Sequence, residues 1–462
     1  MKSILKVLIT IVFAVTFVGC PVVTTGQYVI YNGNGSTGGA VPIDTNEYEH
    51  NDVITVLDDT GTLIKPESTF SGWNTKSDGS GETYDAEETL LMGNQDITLY
   101  AIWTPEGSVR AVAAGSSFSY ILKNDGSLWV TGLNGAGQLG DGTTASRSST
   151  HKIMDDVKAI SVSRQNHAMI LKENGNLYGV GDKSQGKLGL EDTIISTPTP
   201  ILVKSGIASV SCGYYHTMAI DTNGVLWAAG SNGISGILGN GSEEASYEFI
   251  QIDTDVSAVS AGERHTLYVK EGNLYAMGDS TSGKLGRPYS SSNTYDRTPQ
   301  QVSGISDVRS VSAGMNHSLV ITNSNELYSF GRQENGQLLN SVDSDTEIIS
   351  TPTKVRDNVK QAEAGENVSM IITTTGEVLV AGYNTYGMLG DGTATIRQTY
   401  VTPLEVRTGV ESCSLGSGHS LIIDDDGTVY GAGSNASGQL GQGSTDSVNH
   451  YAFLEIPVEI VP

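Results

Sequence analysis

Cysteine is scarce, with three residues in a chain of 462. That is too few for a disulfide framework, so Cys212 and Cys413 are expected as small apolar core residues with no bond between them. Basic residues are also few: 26 Lys and Arg stand against 51 Asp and Glu, for a net charge of −25. No basic run occurs anywhere, which excludes nucleic acid and anionic membrane surfaces as natural partners. The one long apolar run, Val7 to Val18, is short of the roughly 20 residues a membrane span needs. Signatures of catalysis are missing too: there is no G-x-S-x-G, no H-E-x-x-H, no P-loop, and no G-x-G-x-x-G placed between a strand and a helix. The chain is therefore expected not to be an enzyme and to hold no metal or cofactor.

What is present is glycine (56) and tyrosine (20), with much Ser, Thr and Asn between short apolar runs. This composition favours many short strands and tight turns, an all-β chain. Its length implies at least two domains. The N-terminus "MKSILKVLITIVFAVTFVGC" joins two lysines to an apolar run and places Gly19 before Cys20, the pattern of an export signal. "FVGC" resembles the lipobox of bacterial lipoproteins, although Phe17 stands where that family usually has Leu. The resemblance implies a signal peptide over 1–19, a lipidated Cys20, and a spacer over 20–26. The chain would then sit outside the cytoplasm, held to a bacterial inner or outer membrane through Cys20 alone.

From 27 to 104 the chain carries "YVIYNGNGSTGGAVP", "TFSGWNTKSDGSGETY" and "DITLYAIW". Alternation along Tyr28–Tyr31 and Ile97–Trp103 predicts strands, with glycine-rich turns between them. These segments resemble the Listeria–Bacteroides repeat, the B-repeat of internalin-type surface proteins. That resemblance implies a small β-grasp-like module in which Trp73 and Trp103 are core. "TPEGS" then gives a linker at 105–108.

From 109 to 462 one pattern returns seven times. "SAGMNHSLVITNSNELYSFG", at Ser312 to Gly331, has counterparts such as "SVSRQNHAMILKENGNLYGVG" and "CSLGSGHSLIIDDDGTVYGAG". Aligned on the first position of G-x-x-H, the copies fall at Gly115, Arg164, Gly213, Gly262, Gly314, Gly365 and Gly416, in steps of 49 to 52 residues. A near-constant period marks units that bury their faces against neighbouring units. Each copy reads as strand, turn, strand, turn, strand, and most end in G-x-L-G; Leu339 replaces the last glycine in the fifth. Three or four short strands per unit predict a propeller blade, and seven units predict a closed ring. The pattern G-x-x-H-[ST]…L-[YW]-x-x-G…G-Q-L-G resembles the RCC1 repeat, named for the regulator of chromosome condensation. This implies a seven-bladed β-propeller, in which the tail "HYAFLEIPVEIVP" is expected to complete the first blade.

Histidine occupies the same position in five copies (His167, His216, His265, His317, His419), replaced by Phe118 and Val368 in the others. A catalytic base is needed once, beside one substrate. Five dispersed copies that Phe and Val can replace are scaffold, and none has a second ligand at metal-binding spacing. Function is sought instead in residues the repeat does not dictate. Within the G-x-x-H turns these are Tyr214, Tyr215, Arg264, Met315 and Asn316. In the long connections, expected on another rim or face, they are Tyr289 and Tyr295. Tyr, Arg and Met suit a protein interface. The expected function is a monomeric, envelope-anchored interaction scaffold with an unknown protein partner. Alternatives are inhibition of a β-lactamase-type enzyme, as some bacterial propellers of this family perform, or an enzyme or lectin acting on envelope polysaccharide.

Overall fold

The computed structural model describes residues 26–59, 62–191, 195–288, 294–340, 348–396, 407–446 and 448–458. Cys20 and the proposed export signal lie outside them, as does Tyr289. The chain divides between Thr104 and Pro105 into two units.

The first unit is a four-stranded sheet in the order Val29–Asn32, Ile97–Pro105, Ser68–Asn74, Thr83–Tyr84, with a separate pairing of Val53–Thr55 and Thr89–Leu91. Its first and last long strands run in parallel, Val29 opposite Ile97. Trp73 is fully buried, edge-on to Tyr31 and Phe70, and its indole N–H donates to Leu57 O at 2.9 Å. Trp103 is half-buried and donates to Gly33 O at 3.0 Å. Each indole thus satisfies its one donor while burying its ring.

The second unit is a ring of seven antiparallel blades. Blade 1 is Val109–Ala114, Phe118–Lys123, Leu128–Gly132 and Arg147–Met154; blade 3 is Ile207–Cys212, His216–Asp221, Leu226–Gly230 and Ser246–Asp253. Blades 2, 4 and 5 begin at Val157, Val256 and Val308 and have four strands each; blade 6, beginning at Val359, has three among the described residues. The first strand of each blade lines a central channel. Second strands such as Phe118–Lys123 and His317–Thr322 are buried at every residue, because both of their faces pack on neighbouring blades. They therefore read as continuous apolar runs. The turns between second and third strands are local: Asp125 Oδ1 accepts from Ser127 N at 2.8 Å, an Asx turn that leaves Gly126 at φ +79°.

The tail does not complete blade 1. His450–Glu455 pairs with Val429–Gly433, the third strand of blade 7, and blade 1 draws its outer strand, Arg147–Met154, from its own repeat. The chain enters the ring at the innermost strand of one blade and leaves at the outermost strand of another, so blade 1 is not short of a strand for the tail to fill. Closure is lateral. Val109 N donates to Gly427 O at 2.9 Å, and Ile121 and Trp129 of blade 1 share a buried cluster with Leu421, Ile423 and Ile456 of blade 7.

Candidate functional site

The repeat histidines are fully buried at the blade interfaces. Each imidazole Nε2 meets the hydroxyl that follows the histidine position in the next blade: His216 to Thr266 at 2.8 Å, His265 to Ser318 at 3.0 Å, His317 to Ser369 at 2.8 Å, and His419 to Ser119 at 2.9 Å across the closure. His167 reaches Thr217 at a longer 3.3 Å. Each hydroxyl in turn donates to a carbonyl in the G-x-L-G loop of the preceding blade, as Ser369 does to Gln337 O at 2.7 Å and Ser119 to Gln439 O at 2.7 Å. Its proton is spent there, so it accepts from the imidazole. That fixes the neutral ring as the Nε2–H tautomer, with Nδ1 buried and unpartnered. Burial holds the imidazoles far below their ordinary pKa, to about 3 for His216 and His317 and about 4 for His419. The glycine of G-x-x-H makes room for the ring: a Cβ on Gly213 would lie 2.5 Å from His216 Cε1 and 2.6 Å from Gly262 O of the next blade.

In these antiparallel blades the G-x-x-H turn and the connection from third to fourth strand leave from the same end, as the pairing of His317 with Gly331 and of Gly331 with Ile349 shows. The long connections therefore share the face of the turns instead of occupying another. Tyr295 opens the outer strand Tyr295–Gln301 of blade 4, with Arg297 6.0 Å from its ring centre. Near it in the ring, Tyr215, Arg264 and Ile234 line a cleft of about 350 Å³. Arg264 is exposed beside Glu263 at 3.5 Å. Met315 and Asn316 are half-buried; Asn316 accepts from the buried Lys284 ammonium at 3.2 Å. Ile234, half-exposed, is the extra residue of blade 3's loop: Leu238 N reaches back six residues to Asn232 Oδ1, where Leu139, Leu389 and Leu440 reach back five. Residue-by-residue comparison of the loops carries that signal in the sequence.

Tyr214 stands apart from its neighbours. It is buried over the channel mouth, and its hydroxyl donates to Glu366 of blade 6. The second turn also differs from its sequence alignment. Ser163 N donates to His167 O at 2.9 Å, as Gly213 N does to His216 O at 2.9 Å. Ser163 therefore holds the glycine position, and Arg164 belongs to a turn one residue longer than the rest. Its guanidinium crosses the channel, Nε to Leu415 O of blade 7 at 3.0 Å and Nη2 to Ala364 O of blade 6 at 2.6 Å. Cys212 is half-buried at the channel wall and Cys413 is buried; both are free thiols, their pKa pushed up by burial, that of Cys212 to about 12.

A ring of seven blades, most of them four-stranded among the described residues and most meeting the next through a buried hydroxyl and a glycine-lined turn, defines a β-propeller of repeated units. The chain belongs to the RCC1-like domain family, whose sequence profile matches residues 72–368, starting inside the first unit. Regulator of chromosome condensation (RCC1) repeats match at 410–439 and 426–461, and the Listeria-Bacteroides repeat domain matches 28–102. Among similar sequences, the ultraviolet-B receptor UVR8 of Arabidopsis thaliana is 30% identical over 226 residues, 46% of this chain and 50% of that protein. The probable E3 ubiquitin-protein ligase HERC6 of Homo sapiens is 29% identical over 201 residues, 41% of this chain and 19% of its own length. The matched stretch thus spans half or less of these curated relatives. Among solved structures, yeast RCC1 (Prp20), crystallised bound to Kap60, has a TM-score of 0.64 at 18% identity, covering 76% of this chain and 85% of that one. Human WBSCR16 has a TM-score of 0.61 at 19% identity, covering 72% and 94%. At these identities the likeness is one of fold.

Proposed function

We propose that this is an interaction scaffold of the bacterial cell envelope, tethered through a lipidated Cys20, whose propeller binds a protein through the face bearing the G-x-x-H turns. The observation that carries the face is the distribution of exposed apolar side chains. Among the described residues of the propeller, Ile195 (71% exposed), Ile234 and Val448 (65%) lie in third-to-fourth-strand connections, and Tyr386 and Ile396 follow the third strand of blade 6. The remaining exposed large apolar residues are on outer strands, and none is in the turns of the opposite face among the described residues. Apolar side chains exposed on one face among polar groups suit a protein-binding surface. Tyr215, Arg264 and Ile234 form its best-shaped part, with Met315 and Asn316 on the neighbouring turn and Tyr295 at the start of blade 4's outer strand; Tyr289 remains a candidate from the sequence alone. The RCC1-like family agrees with a protein partner, and the net charge of −25 argues against nucleic acid. The tether rests on the sequence pattern at Cys20, and the protein acts as a monomer.

The test is affinity capture from envelope and culture-fluid proteins with the wild-type chain, beside a variant carrying Tyr215→Ala, Ile234→Asp and Arg264→Ala. A partner retained by the first and lost by the second places the face; equal retention, or none, sinks it. A β-lactamase-type enzyme among the retained proteins would make the scaffold an inhibitor. Cys20→Ala should move the protein from the membrane to the soluble fraction and abolish incorporation of labelled palmitate.

A further inference from the structure

The channel departs from its repeat at two charged places, Arg164 and Glu363. The wall position two residues before the turn glycine is Ser161, Ser211, Ser260, Ser312 and Ser414 in five blades, Ala113 in blade 1, and Glu363 in blade 6. Three of the serine hydroxyls accept a backbone N–H of the next blade and make no other hydrogen bond: Ser211 from Ala261 at 3.0 Å, Ser260 from Ala313 at 2.9 Å, and Ser414 from Ala114 at 3.0 Å. Their protons are left to donate into the lumen. Ser312 also accepts such a bond, from Ala364 at 2.9 Å, and donates to Glu363 Oε2 at 3.2 Å. Above this ring lie Arg164, from the lengthened turn, and the Tyr214–Glu366 bond, which together narrow the mouth. The lumen beneath is a polar cavity of about 180 Å³, continuous along Ser211, Ser260, Ser312 and Glu363 with a wider space toward the opposite face.

Arg164 and Glu363 face this cavity, yet among the described residues no ion pair joins them. Arg164 instead bonds the carbonyl of Ala364, the residue next to Glu363. A guanidinium and a carboxylate confined to one small lumen, each with capacity unused and not bridging each other, leave a gap that a molecule with complementary ends would span. The hydroxyl donors beside the guanidinium suit a carboxylate end, and Glu363 suits an ammonium end. The volume admits a few heavy atoms, not a nucleotide or an oligosaccharide.

We propose that the channel is a binding site for a small zwitterion of the α-amino acid class, its carboxylate held by Arg164 and the serine hydroxyls and its ammonium by Glu363. The site lies in the channel beneath the turn that supplies Arg164, and its existence does not depend on the protein-binding reading.

The test is calorimetric titration and thermal shift of the full chain with glycine, alanine and serine, beside acetate and methylammonium as half-ligands. At least one amino acid should bind and raise the melting temperature, with each half-ligand weaker. Glu363→Ser, which restores the residue the ring uses elsewhere, and Arg164→Gln should each weaken that binding about tenfold or more, the loss expected for a charged hydrogen bond. Because Arg164 also braces three blades, the serine variant, with an unchanged circular dichroism spectrum, carries the result if the glutamine variant unfolds. Absence of binding by every amino acid, or binding that Glu363→Ser leaves unchanged, overturns the proposal and leaves a channel filled with water.

Discussion

Histidine and hydroxyl act as a pair, and the two blades that lack the histidine show how the pair can be lost. Phe118 replaces it in blade 1, and the residue facing it in blade 2 is Ala168, not Ser or Thr; both are fully buried. In blade 6, Val368 replaces it, while Ser420 keeps its bond to Met388 O at 2.6 Å. A hydroxyl can therefore do without the imidazole, but an imidazole without a hydroxyl would bury an unsatisfied N–H. Ser369→Ala alone should cost about 2–3 kcal/mol, whereas His317→Phe combined with Ser369→Ala should cost less than the two single changes added together. Denaturant melts of the four proteins in this cycle measure the coupling, and strict additivity would refute the pairing. The same five rings set an acid limit. Their folded pKa lies below the unfolded value, so the unfolded chain takes up protons first, and stability is full above about pH 6.5 and falls as pH drops toward the folded values. At pH 5 the loss is about 2 kcal/mol per histidine. Asp182 and Asp253, held low by Lys187 and Lys270 against the opposing pull of their own burial, lose their contribution only below about pH 4. Burial raises Glu363 and gives it the opposite sign, though its side chain keeps some accessible surface because it lines a narrow lumen. Melting temperature measured from pH 7 to pH 5 should therefore fall steeply, and less so in the His317→Phe, Ser369→Ala double variant.

At the scale of elements, the outer strand of blade 7 ties down three neighbours. Leu454 pairs with Gly431 of its own blade, Phe453 packs into the cluster shared with blade 6, and Ile456 enters the cluster at the closure, where Thr150 donates to Pro457 O at 3.0 Å. Removing residues 453–462 exposes one Phe and one Ile with their surroundings, about 3–6 kcal/mol of lost burial. The expected result is a clear drop in melting temperature with the propeller's circular dichroism retained when cold; an unchanged melt would show that the strand is dispensable. The strands, their order within a repeat and the scaffold role of histidine were legible because period, turn residues and apolar runs repeat within about 50 residues. What pairs across blades was not, since each contact joins residues one full repeat or more apart. The phase of the ring was misread for that reason: nothing local to "HYAFLE" distinguishes an outer strand of its own blade from one lent to blade 1. Arg164 was misaligned because a one-residue insertion in the turn leaves the overall spacing near 49. The hydroxyl partners did leave a trace, since a Ser or Thr follows the histidine position in six of seven copies and fails only at Ala168, one blade after Phe118.

At the scale of the whole molecule, contacts that skip blades set this ring apart from a chain of nearest neighbours. Arg164 joins blade 2 to blades 6 and 7, and Tyr214 joins blade 3 to blade 6. Cys212 and Cys413 fall in blades 3 and 7, each in its own wall strand. Intact mass should not change by two hydrogens on reduction, and a thiol reagent at neutral pH should modify both cysteines only once the ring is unfolded. Rapid modification of the native protein would show that the channel wall opens. The lateral closure also bears on how such a ring can change over generations. Because every fully described blade takes all its strands from one uninterrupted stretch of chain, duplicating or deleting a repeat in the gene inserts or removes a whole blade and orphans no strand. The number of blades is then governed by the angle at which neighbours pack, and a lineage can alter it in single steps without passing through a half-built intermediate.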